Sequence, residues 1–165
     1  MIRSKLAASL LSMSVLFSIS CDTESCDREA PILRFENYEY NIFQLSESVF
    51  IDSLIVKVAF DDCQGDIGIK DNETGFNLHT FQYEFVDSTW VRVEPVNPAD
   101  TLAFFAKVPF SDKINEGNRL EGTVEQRFGS VKQRSDTIRF EMMLIDRAGN
   151  RSERITTPTF ILQDY

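Results

Sequence analysis

The chain is short of the residues that most catalysis runs on. It has one histidine, His79, one tryptophan and three cysteines in 165 residues. Zinc sites draw several His or Cys ligands, and this composition is too poor in both. A serine triad needs a nucleophile, a base and a group that orients the base. No G-x-S-x-G segment is present, and His79 sits in a strand-like run beside Phe81, Tyr83 and Phe85 as a packed or rim residue. Glycine-rich phosphate loops are also missing. No window holds a helical apolar stripe longer than two turns, which leaves strands to build the fold. Basic charge is scarce: 17 Lys and Arg stand against 26 Asp and Glu, for a net charge of −9. Nucleic acids and anionic membrane surfaces select basic faces, so neither is an expected partner. The expectation is a non-enzymatic protein. A hydrolase working through loop carboxylates is the alternative, since Asp and Glu recur throughout.

The N-terminus is an address. Arg3 and Lys5 form a basic head, Leu6 to Ile19 is apolar or small, and Ser20-Cys21 follows. This is the layout of a secretory signal, and its apolar run falls short of the roughly 20 residues a membrane span needs. Ser18-Ile19-Ser20-Cys21 resembles the lipobox of bacterial lipoproteins, with Ser18 where that family prefers Leu. The resemblance implies cleavage before Cys21 and a diacylglyceryl group on its sulfur, with an ordinary signal peptide cut nearby as the alternative. Two acyl chains hold a protein stably to a bilayer. Residues 1–20 are then a lipoprotein signal peptide and 21–29 an acidic tether, opening Cys21-Asp22-Thr23-Glu24-Ser25-Cys26-Asp27. Acidic residues after the lipid cysteine are similar to the surface-export signal of Bacteroidetes lipoproteins. That implies an outer-membrane or cell-surface location, with a periplasmic-facing anchor as the alternative.

Cleavage would remove Arg3 and Lys5, leaving 145 residues with a net charge of −11. One domain, residues 30–165, fits that length and can bury about two-thirds of its unfolded surface without a staple. Cys26 and Cys63 remain in an oxidising compartment, where two thiols often pair. A disulfide would close a loop of about 37 residues and contribute about 3–4 kcal/mol by chain entropy; two free thiols are the other reading.

Alternation sets out the strands. Ile138, Phe140, Met142 and Leu144 fall on one face of Thr137–Ile145, with Arg139 and Glu141 on the other. Leu54, Val56, Val58 and Phe60 repeat the pattern and stop at Asp61-Asp62. Period two marks half-buried strands, and these two are expected to be core neighbours whose acidic ends meet. Phe81, Tyr83 and Phe85 share a face from which Gln82 and Glu84 point away. Asp87-Ser88-Thr89 turns that strand back through Trp90 to Val93. Further strands are expected over Leu102–Phe110, Gly122–Phe128 and Arg151–Leu162, the last at an edge because of Pro158. Phe35, Tyr38, Tyr40 and Phe43 read as core-facing residues rather than a ligand platform. About eight short strands separated by turn signals make an all-β, two-sheet sandwich of seven to nine antiparallel strands.

Two segments carry a family resemblance. Phe60-Asp61-Asp62-Cys63-Gln64-Gly65-Asp66-Ile67-Gly68 and Ile145-Asp146-Arg147-Ala148-Gly149-Asn150-Arg151-Ser152 resemble motifs of Bacteroidetes immunoglobulin-like lipoproteins of unknown function. The resemblance covers Ala30 to Leu162, with Cys63-Gln64 departing from the family's usual acidic pattern. It implies an immunoglobulin-like sandwich, in which the loops after the second and penultimate strands share one end. Asp61, Asp62, Asp66, Asp71, Asp146 and Asn150 would then gather there. Calcium takes six to eight oxygens, and such loops supply them, so Ca²⁺ is the one candidate cofactor, although none is required. The plainer reading is that Asp, Asn and Gly are turn formers bonded to their own backbone. The functional expectation is a lipid-anchored envelope protein that binds a protein or glycan partner, with a calcium-dependent adhesion module as a further alternative.

Overall fold

A computed structural model of the chain describes residues 26–47, 49–94, 105–110, 118–129 and 134–163. The expected signal segment, Cys21 and the first part of the expected tether lie outside the described residues, as do 102–104 of the expected Leu102–Phe110 strand. The strands are β1 (Ile32–Ser46), β2 (Val49–Asp62), β3 (Leu78–Val86), β4 (Thr89–Arg92), β5 (Phe105–Ala106), β6 (Leu120–Gly129), β7 (Thr137–Leu144), β8 (Ile155–Thr156) and β9 (Phe160–Ile161). No helix occurs among the described residues. The strands form two antiparallel sheets: β1-β2-β6, and β4-β3-β7-β8 with β5 also on β3 and β9 also on β7. The fold is an all-β sandwich of two sheets, and the order β1-β2-β6 against β4-β3-β7-β8 corresponds to the A-B-E and C′-C-F-G order of immunoglobulin domains.

The three-stranded sheet follows its own polarity. Leu54, Val56 and Val58 are wholly buried, and Lys57 on the opposite face pairs with Glu125 across the ladder at 3.3 Å. In β1, Phe35 and Tyr38 are three residues apart and would fall on opposite faces. A bulge between Phe35 and Asn37 restores the phase, so Phe35 pairs with Val58 and Tyr38 with Val56 on the core side. Tyr40 and Phe35 pack against the core; Tyr38 reaches its rim edge-on to Phe160 at 4.7 Å, and Phe43 is exposed.

The six-stranded sheet does not follow the polarity of β3. Directly opposed residues of an antiparallel pair share a face. β3 pairs with β7 so that Leu78 faces Leu144, Thr80 faces Met142, Gln82 faces Phe140 and Glu84 faces Ile138. Ile138, Phe140, Met142 and Leu144 are 0% exposed and form the core with Leu54, Val56 and Phe128. Thr80, Gln82 and Glu84 are therefore carried inside, and His79, Phe81, Tyr83 and Phe85 stand outside. Burying polar groups is unfavourable unless they are bonded. Thr80 Oγ1 donates to Gln126 Oε1 at 2.7 Å across the sandwich, and Glu84 Oε2 accepts from Arg134 N at 3.1 Å. Phe128 stacks on Phe140 at 4.3 Å and joins the two sheets beside them.

The connections are local chemistry. Asp87 and Ser88 both have positive φ, 50° and 64°, which makes the two-residue β3–β4 loop a type I′ turn matched to strand twist. The expected final strand is two short pieces. Between them Thr157 Oγ1 accepts the Phe140 N–H at 3.0 Å, and Pro158 occupies the break where no donor is required. Ser152 Oγ does the same for the Leu144 N–H at 2.9 Å. Strand β2 is longer than its apolar run, reaching from Val49 through Asp62, so the loop that follows begins only at Cys63.

Candidate functional site

The pole of the sandwich where β2 and β7 end gathers part of the expected acidic set. Asp62, Asp66 and Asp146 present carboxylate oxygens within 4.8 Å of one another. Asp62 arrives there by parity: Phe60 and Asp62 face inward and Asp61 faces outward. Asp66 is brought in by the loop after Cys63. Its N–H donates to Asp62 Oδ2 at 2.8 Å, its Oδ2 accepts from Ala148 N at 3.1 Å, and its carbonyl accepts from Arg147 N at 3.1 Å. Gly65 makes the approach geometrically open. A Cβ there would fall 2.0 Å from the Asn118 carbonyl oxygen, and its φ of +63° suits glycine. Ile67, 3% exposed, anchors the same loop in the core.

Three members of the expected set are placed differently. Asp61 lies on the other face of β2, bonded to Arg28 at 2.5 Å and to Arg119 at 2.9 and 3.1 Å. The Arg119 bond outweighs burial and, with Arg28, holds the Asp61 carboxyl below the usual carboxylate range. Asp71 is an exposed turn residue and does not join the cluster. Asn150 acts on Asp146 rather than beside it: its N–H donates to Oδ1 at 2.7 Å and its Nδ2 to Oδ2 at 2.9 Å. That is the Asx-type turn chemistry open in the sequence. Burial, then the Asp146 and Asp62 charges, push the Asp66 carboxyl above its ordinary value.

Cys26 and Cys63 are joined in a disulfide with Cα atoms 5.2 Å apart, Arg28 grips Asp61, and Asn150 Nδ2 donates to the Glu29 carbonyl at 3.1 Å. Residues 26–29 are thus held on the acidic pole.

Beside the cluster, Gly68, Glu73, Phe76, Asn77, Asp146 and Arg147 border an open cavity of about 570 Å³. Arg147 forks onto Glu73 at 2.7 and 2.9 Å and lowers the Glu73 carboxyl to about 2.

A second region is the outer face of the six-stranded sheet. His79 stacks on Phe105 at 4.2 Å, and Phe81 meets the same ring edge-on at 5.6 Å. Arg92 and Arg154 lie over Phe81 at 4.4 and 4.9 Å; Arg139 lies over Trp90 at 4.4 Å and over Tyr83 at 5.6 Å. Tyr83 Oη donates to Glu141 at 3.1 Å, and burial followed by that bond raises the phenol's pKa. Arg139 Nε is shielded from solvent with no hydrogen-bond partner among the described residues. Rings and guanidinium groups thus alternate across a half-buried surface. His79 Nε2 lies 3.2 Å from the Phe76 carbonyl oxygen, which makes that nitrogen the donor and binds the ring to the sheet.

A scan against protein-family models found no match to this chain, and searches of curated proteins and of solved structures found none either.

The aromatic face escaped the sequence reading because β3 alternates equally well in either orientation. Only its register on β7 says which side is core. The signal available in advance was composition: Arg92 and Arg139 both fall opposite Tyr83 once β3, β4 and β7 pair.

Proposed function

We propose that this chain is a lipid-anchored envelope protein whose sandwich is a non-catalytic binding module, and that the outer face of the six-stranded sheet holds a protein partner. The observation that carries this reading is the orientation of β3, which buries Thr80, Gln82 and Glu84 and leaves Phe81, Tyr83 and Phe85 outside. A strand that served only stability would do the reverse. Trp, Tyr, Phe and Arg are the residues enriched at the centres of protein interfaces, where stiff aromatic area is available at small entropic loss. Arg139 sets a guanidinium over Trp90 and Tyr83 on that face, so charge and aromatic area lie side by side there. Asp62, the innermost of the clustered carboxylates, is 0% exposed, which counts against a two-carboxylate hydrolysis that runs through it.

The address rests on the Cys21 lipobox resemblance and implies an outer-membrane or cell-surface position. Metabolic labelling with a palmitate analogue checks it: wild type should label and Cys21→Ala should not. For the binding face, the full chain is isolated from native host cells in mild detergent with whatever it holds. A protein that copurifies with wild type and with Lys57→Ala, but not with Trp90→Ala/Arg139→Ala, is the expected result. Equal copurification with both variants overturns the assignment of the face. A glycan-array signal lost in the double variant would replace the protein partner with a glycan. Turnover on a glycan and peptide hydrolysis panel would favour the loop-carboxylate hydrolase.

A further inference from the structure

Asp62, Asp66 and Asp146 form a cluster whose innermost member has lost water without full compensation. Asp62 is 0% exposed; its Oδ2 accepts the Asp66 N–H, while its Oδ1 has no hydrogen-bond partner among the described residues. Asp146 is 7% exposed, and Asp66 forms the half-exposed lip of the cluster. Asp66 Oδ1 likewise has no partner among the described residues. A buried carboxylate oxygen left unpaired is unfavourable, and more so beside two further carboxylates. The contrast with Asp61 is direct, because that neighbour on the same strand is met by two arginines.

We propose that Asp62, Asp66 and Asp146 bind a hard divalent cation, calcium in preference. Oxygens on opposite sides of a calcium ion stand about 4.6–5.2 Å apart, since each Ca–O distance is roughly 2.3–2.6 Å. The three carboxylates meet that limit, with their oxygens within 4.8 Å of one another. Water fills the remaining positions from the side of Asp66. Calcium suits this set better than magnesium, which demands near-octahedral geometry and gives up water reluctantly. The site does not depend on the aromatic face. It lies at the pole where residues 26–29 are fastened, since Asn150 bonds both Asp146 and the Glu29 carbonyl and Cys63 follows Asp62 directly. Bound calcium would stiffen the junction between tether and domain.

The test uses the purified full chain, with thermal unfolding in millimolar CaCl₂ or in EDTA and equilibrium dialysis against radioactive calcium. The expected result is one ion per chain and a Tm higher by roughly 5–10 °C when calcium is about 100-fold above Kd. Magnesium at the same concentration should raise Tm less. Asp61→Asn should keep the calcium response. Asp62→Asn should lose it, and Asp66→Asn serves in its place if that variant does not fold. No bound calcium together with equal Tm in calcium and EDTA overturns the site. So does a response that survives both Asp62→Asn and Asp66→Asn. An equal response to magnesium overturns the calcium preference.

Discussion

The two sheets of this sandwich obey opposite rules. In the first, β2 sends Leu54, Val56 and Val58 inward and sets Lys57 against Glu125 outside. In the second, β3 sends Thr80, Gln82 and Glu84 inward and sets Phe81, Tyr83 and Phe85 outside. The difference teaches that a strand's own polarity does not decide which face is core. The neighbouring strand decides. The inner face of β7 is entirely apolar, and pairing register obliges β3 to put Gln82 opposite Phe140. A slip of one residue would exchange every side chain of β3 between faces. The polar residues inside are kept by bonds such as Thr80 to Gln126. The aromatic residues outside are then available for recognition.

The comparison can be broken most severely at β7. Phe140 is wholly buried, stacked on Phe128, and placed opposite Gln82. Phe140→Ala should destabilise the domain by about 3–5 kcal/mol in denaturant unfolding. A loss below about 1 kcal/mol would mean that this ring does not define the core. The inward polar column gives a smaller effect. Glu84→Ala removes the acceptor for Arg134 N and should cost about 1–3 kcal/mol. Lys57→Ala, on the outer face of the other sheet, should stay within about 0.5 kcal/mol. Equal losses at Glu84 and Lys57 would show that both side chains are solvated and that β3 is not inverted.

The outer faces should differ in a further, smaller way. Arg139→Ala removes a guanidinium from Trp90 and Tyr83 and should cost only about 0.5–1 kcal/mol in stability. Tryptophan fluorescence should change clearly at the same time, because Trp90 is the only tryptophan in the chain. The first sheet should be acid-sensitive through Asp61. Asp61 has a carboxyl lowered in the folded state from an ordinary value of 3.8. Its contribution is fully present above that value and is lost as pH falls through the lowered one. Arg119→Ala should therefore flatten the fall in Tm below about pH 4. An acid limb unchanged in that variant would remove Asp61 as its source.

Much of the fold was legible because alternation is a direct consequence of pleating. The apolar faces of β2 and β7 and the turn at Asp87-Ser88 follow from local sequence, whereas the meeting of the two acidic ends, across 82 residues from Asp66 to Ala148, was expected from the sandwich topology that the resemblance implies. Parity along β2 could also have separated Asp61 from Asp62, since Phe60 fixes which of the two faces inward. The partners of Asp61 could not be read in this way: Arg28 and Arg119 lie 33 and 58 residues away. Asn150 and Asp71 carry the same composition signal as the clustered carboxylates, yet one closes a turn on Asp146 and the other is exposed. Distinguishing ligand from turn former needs the backbone path. The face of β3 needed its register, a property of two strands at once.

The central claim is that the outer face of the six-stranded sheet is the one that meets a partner. Site-specific photo-crosslinking in native host cells tests it most directly, with the crosslinking residue placed at Phe81 in one variant and at Ile55 in the other. Both are half-buried positions, on the outer faces of β3 and β2 respectively. The account predicts a discrete protein adduct from position 81 that is absent from position 55. Adducts from position 55 alone, or the same adducts from both positions, would contradict it.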